Sequence, residues 1–127
     1  MLHIVETAKD VETAARDLEE AVKRNKFGVI SVLDLQQKMK EKGVEFAHAC
    51  TILEVCNPQQ ASRVLTQNMA VSTALPCRIS VYEENGQTKM ATMLPTAMLA
   101  VFPGAKDLKP IAEEVEQQIL KMIDEAK

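Results

Sequence analysis

Apolar residues recur along this chain in two rhythms, a period of two and a period near 3.6, and the switching between them predicts alternating strands and helices. Residues 2–6 predict a short strand. Thr7 is then placed to cap a helix with the stripe Val11, Ala14, Ala15, Leu18 and Val22, running to about Asn25. Residues 27–33 are rich in β-branched side chains and predict a second strand, after which Asp34 caps a short helix closed by Gly43 at the C′ position. Residues 46–55 predict a long strand. It leads into Asn57 as N-cap, Pro58 as first helical residue and Gln60 at the capping-box position, with Ala61, Val64 and Leu65 turned inward. Two further strands, residues 76–84 and Gln87–Met93, flank Asn85-Gly86, a strong signal for a two-residue type I′ hairpin. Pro95 opens a short helical turn through Val101, which Pro103-Gly104 breaks. Asp107 is placed to cap a terminal helix whose stripe is Leu108, Ile111, Val115, Ile119, Met122 and Ala126, with Pro110 tolerated in its first turn. Without a linker, repeat or low-complexity tract, residues 1–127 predict a single domain.

Parity within the strands separates two sheet faces. In the long strand Ala47, Ala49, Thr51, Leu53 and Val55 form a small or apolar row suited to packing beneath helices. The alternate row, Phe46, His48, Cys50, Ile52, Glu54 and Cys56, is too apolar for plain solvent and too polar for a core. Closing the hairpin at Asn85-Gly86 pairs Val81 with Met90 and Ile79 with Thr92 on the core face. Arg78, Ser80 and Tyr82 then face the other way, opposite Met93, Ala91 and Lys89. The pattern predicts an antiparallel sheet with the first and last helices on its odd-residue face, and a mixed face that serves as a subunit interface or the wall of a groove.

Composition changes this picture in one respect. Aromatic residues make up only 3% and Trp is absent, so Leu, Ile, Val and the seven Met must fill the core. The net charge of -3 gives no general attraction to nucleic acid or anionic lipid, although Lys38, Lys40 and Lys42 form a local basic cluster. No apolar run is long enough to span a bilayer, and no basic stretch leads into an apolar one after Met1-Leu2-His3. A soluble cytoplasmic protein with no membrane partner is expected. Three cysteines without a CxxC spacing fit a reducing compartment better than a disulfide framework.

The chemistry-bearing residues gather in two triplets, Cys56-Asn57-Pro58 and Pro76-Cys77-Arg78, each where one element gives way to the next. Cys56 immediately precedes a helix start, where the dipole and free amides favour a thiolate, and the competing reading is a small buried hydrophobe. Cys50 and Cys77 are the other candidate thiols. Cys50 and Cys56 lie about 20 Å apart along an extended strand, too far for a disulfide. His48 and Cys50 share a strand face, but no second pair is spaced to complete a structural metal site, so neither metal nor cofactor is expected. Glu54 and Arg78 form either an ion pair across the sheet or an anion-binding arrangement with Cys56, Asn57 and Tyr82. Ser80 has no base beside it, and no phosphate loop, stacking stripe or acid/base pair of carboxylates occurs, so no catalytic residue is assigned.

Cys56-Asn57-Pro58 followed by Gln59-Gln60-Ala61, then Leu75-Pro76-Cys77-Arg78-Ile79 entering a strand and the Asn85-Gly86 hairpin, resembles the prokaryotic family called domain of unknown function 302. The order of elements fits that family over essentially the whole chain. The resemblance implies a two-layer α+β fold like the TATA-binding protein, a curved antiparallel sheet with helices on one face, and it implies dimers. It implies no activity. The chain lacks the basic face and Phe wedges that minor-groove binding requires, which makes nucleic acid a poor partner. The expectation is a non-enzymatic homodimer whose mixed face also holds a small, anionic ligand beside Arg78. The alternative is a thiol protein, redox-sensing or metal-handling, that works through Cys56 or Cys50.

Overall fold

The computed structural model describes residues 1–127. The strands are β1 (Leu2–Thr7), β2 (Gly28–Asp34), β3 (Cys50–Cys56), β4 (Cys77–Glu84) and β5 (Gln87–Met93). The helices are α1 (Val11–Arg24), α2 (Leu35–Glu41), α3 (Pro58–Gln67), α4 (Pro95–Leu99) and α5 (Ala105–Ala126). All strand pairings are antiparallel, in the open order β1-β5-β4-β3-β2. The α+β class expected from the sequence is what the chain adopts.

Alternation in the two central strands decides which face is covered. Leu53 and Val55 of β3, Ile79 and Val81 of β4 and Met90 of β5 are fully buried. They pack in one cluster with Ala14, Leu18 and Val22 of α1 and Ile119, Met122 and Ile123 of α5. A second, smaller cluster joins Val64, Val71, Leu99, Leu108 and Ile111, so α5 spans both. Asn85 and Gly86 adopt φ of 54° and 76°, as a type I′ turn requires, and the hairpin pairs Val81 with Met90 and Ile79 with Thr92. Gly43 closes α2 at φ 79°.

Three local expectations are corrected, and one element is new. The long strand begins at Cys50, not at residue 46: Asp34 ends β2 opposite Thr51, so one ladder partner runs out, and pairing with β4 stops at Cys50–Tyr82 although β4 itself runs on to Glu84. Phe46 and His48 instead meet edge to face at 5.3 Å in the irregular segment before it. Helix α1 is capped by Asp10, whose Oδ1 accepts from Thr13 N at 2.8 Å, whereas Thr7 is buried as the last residue of β1. Helix α5 starts at Ala105 after Gly104 in the left-handed region, so Asp107 lies in the first turn rather than at the cap and Pro110 falls inside the helix. Met69–Ala74 forms a 3-10 helix, with Asn68 Oδ1 accepting from Ala70 N at 2.9 Å, which the apolar pattern does not reveal.

Leu53 is fully buried at the centre of the larger cluster. Leu53→Ala is expected to lower unfolding free energy by about 2–5 kcal/mol in urea melts, the range for cavity-forming core truncations. A loss near zero would mean that the odd-residue face is not the packed one.

Candidate functional site

The ladder aligns the outer-face residues into transverse rows. Ile4 pairs with Ala91, Ala91 with Ser80, Ser80 with Ile52 and Ile52 with Leu33, so one small or apolar row crosses all five strands. No helix is part of this row. On one side of it Ser31, Glu54 and Arg78 stand in register on β2, β3 and β4. On the other side Cys50, Tyr82, Lys89 and Glu6 do the same on β3, β4, β5 and β1.

Glu54 is the centre of the first flanking row. Arg78 Nε donates to Glu54 Oε2 at 3.2 Å and Ser31 Oγ donates to Oε1 at 2.6 Å. The Ser31 hydrogen bond, opposed by desolvation and helped by the Arg78 bond and charge, holds the Glu54 carboxyl below the usual carboxylate range. The Arg78 side chain is 65% exposed and uses only Nε in this pair, which leaves both terminal guanidinium nitrogens uncommitted. Lys89 makes the matching pair in the opposite row, at 2.9 Å from Glu84.

The remaining site candidates do not join Arg78. Tyr82 sits opposite Cys50, in a hollow with Leu35, Met39, Phe46 and His48. Cys50 Sγ lies 3.8 Å from Ser80 Oγ, on the open face. Asn57 is an N-cap with both bonds made, accepting from Gln59 N at 3.0 Å and Gln60 N at 3.2 Å. Strand parity placed Cys56 beside Glu54, but it is the last residue of β3, and at the turn into α3 it enters the wall of a cavity on the helix side. That cavity, about 40 Å³, also takes Val55, Cys77, Leu75, Met98 and Val115 into its wall. The two triplets therefore meet, through Cys56, Asn57 and Cys77, beneath the sheet rather than upon it.

Burial sets the state of these thiols. It pushes the Cys56 thiol up, opposite to the direction expected of a helix start, and pushes Cys77 up to about 11, with the nearby Cys56 charge adding to the effect. No three of His, Cys, Asp and Glu lie close enough to share a metal ion, and His48 with Cys50 gains no further ligand of these types. Met98 and the Leu75 segment of the cavity wall carry no sequence signal beyond their apolar character.

A sequence model described as "Domain of unknown function DUF302" matches residues 3–126. The chain belongs to this family. A solved structure described as an uncharacterized conserved DUF302 protein from Bacillus stearothermophilus is 36% identical, with a TM-score of 0.93 over 99% of this chain and 98% of that one. No curated protein matches. No helix of this DUF302 chain is long and apolar enough to cross a membrane.

Because the folded-state Glu54 value lies below its unfolded one, the group contributes stability above the ordinary carboxylate range, and that contribution is lost as pH falls through the depressed value. Ser31→Ala and Arg78→Gln are each expected to move the Glu54 titration upward, read by carboxyl carbon NMR, and to reduce the acid-side loss of stability. An unchanged titration in both variants would show that neither contact forms in solution.

Proposed function

We propose that this DUF302 protein is a non-enzymatic homodimer whose subunits meet through the open faces of their sheets. The observation that carries this reading is the uncovered row from Ile4 to Leu33, in which Ile4 is exposed and Ile52 and Leu33 are half-buried. A twofold contact buries the same residues twice, so a self-complementary surface suits it. Charge complementarity favours a second copy over an unlike partner. Arg78 is paired with Glu54 and Lys89 with Glu84 inside each subunit, so apposed faces bury these two cations with their partners, and Glu6 is the unpaired charge left at the β1 edge. Redox sensing through Cys56, one of the two thiols of the alternative reading, gains less support, since burial pushes that thiol up and so disfavours the nucleophilic thiolate.

Light scattering on the wild type is expected to give twice the chain mass at micromolar concentration, and Ile52→Lys is expected to give monomer with an unchanged circular dichroism spectrum. A monomeric wild type removes this reading, as does an Ile52→Lys chain that stays dimeric.

The free terminal nitrogens of Arg78 support a second element, a small phosphate-like or carboxylate anion held at the rim of the apolar row. Phosphate is expected to raise the thermal midpoint of the wild type, and Arg78→Ala to abolish that rise. Failure of phosphate, sulfate and small carboxylates to stabilise the wild type leaves Arg78 as the partner of Glu54 alone.

A further inference from the structure

The cavity on the helix side of the sheet holds a ligand set that neither the open face nor the Arg78 pair accounts for. Its wall includes Cys56, Asn57, Gln60 and Cys77 together with Met98, and the remaining residues are apolar. Two thiols and a thioether are soft donors. No carboxylate and no imidazole lines the space, so it offers nothing that a hard cation such as calcium or magnesium requires. Zinc is poorly served as well, since a structural zinc site takes four nitrogen, oxygen or thiolate ligands. We propose that Cys56, Cys77 and Met98 form a binding site for one soft monovalent cation of the Cu(I) type.

Size supports an ion rather than an organic guest. A volume of about 40 Å³ is far below the roughly 300–1,000 Å³ of pockets that enclose drug-sized ligands. Cys77 lies directly opposite Val55, the residue before Cys56, and Cys56 reaches the same cavity wall at the turn into α3. Cys77 is buried, and the charge of Cys56 acts on it, in keeping with that shared wall. Cys56 and Met98 are only half-buried, which gives the ion a way in from solvent.

The balance of the step is simple. Cu(I) enters as a monocation, the two thiols each lose a proton to solvent, and two sulfur–copper bonds form, with the thioether as a third, neutral donor. No electron is transferred. The complex carries one net negative charge, and the first turn of α3, which begins at Pro58 directly after the Cys56-Asn57 link, presents the positive end of its dipole to it. The same burial that makes these thiols slow nucleophiles makes ion uptake strongly dependent on pH, because protons must leave as the ion binds. This site lies on the opposite side of the sheet from the dimer face, so either reading stands or fails without the other.

The test is competition under argon between the protein and the coloured Cu(I) complex of bicinchoninate. The wild type is expected to withdraw one equivalent of copper, more readily as pH rises, and to gain thermal stability with it. Cys56→Ser and Cys77→Ala are each expected to lose that equivalent, Met98→Leu to bind more weakly, and Cys50→Ser, on the other face, to bind as the wild type does. Should Cys77→Ala fail to fold, Cys56→Ser decides, because its thiol is half-buried. A wild type that withdraws no copper overturns the proposal. So does undiminished binding in folded Cys56→Ser, or recovery of a Cys56–Cys77 disulfide in place of the bound ion.

Discussion

The central ladder of β3 against β4 governs the rest of this molecule, because the two long helices α1 and α5 pack on one side of it. Leu53, Val55, Ile79 and Val81 are fully buried beneath α1 and α5, while Ile52, Glu54, Arg78 and Ser80 point away from them. In a sheet with one covered face a slip of one residue would exchange these sets and expose the core. The hairpin at Asn85-Gly86 fixes the register of β5 on β4, and β1 then adds to the far edge through β5. At the other edge β2 carries an irregularity between Val29 and Ser31, which brings Ser31 opposite Glu54.

That register makes the outer face orderly. Arg78 and Lys89 lie in the two flanking rows and each finds a carboxylate partner, and the row between them stays small or apolar from edge to edge. Exposed ion pairs of this kind contribute only about 0–1 kcal/mol each. Their consequence is electrostatic rather than stabilising, since a cation already matched to a carboxylate can be covered without being stranded.

The thiols illustrate how two small effects of opposite sign are settled. A helix N-terminus favours a nearby anion by roughly 0.3–1 kcal/mol at an exposed site, which is less than one pKa unit, about 1.4 kcal/mol. Burial raises the Cys56 thiol, and Cys77, deeper and beside a second thiol, rises to about 11. A neutral, apolar, sulfur-lined cavity results where proximity to a helix start alone would suggest a reactive thiolate.

Local signals in the sequence were sufficient for the element order, the Asn57-Pro58 helix start, the type I′ hairpin and the division of the central strands into covered and open faces. Each depends on backbone preferences or side-chain alternation within a few residues, which a linear chain displays directly. Tertiary structure decided what depends on partners distant in sequence. The start of β3 was set by where β2 ends, and the choice of Asp10 over Thr7 as a cap followed from β1 running on through Thr7. The pairing of Arg78 with Glu54 and Ser31 needed three strands in register. Cys56 departs from its strand's alternation only because the chain turns into α3, and its meeting with Cys77 and Met98 depends on α4 and α5 folding back over that turn. Strand parity predicts the direction of a side chain inside a strand, but at a strand end the packing of distant elements determines it.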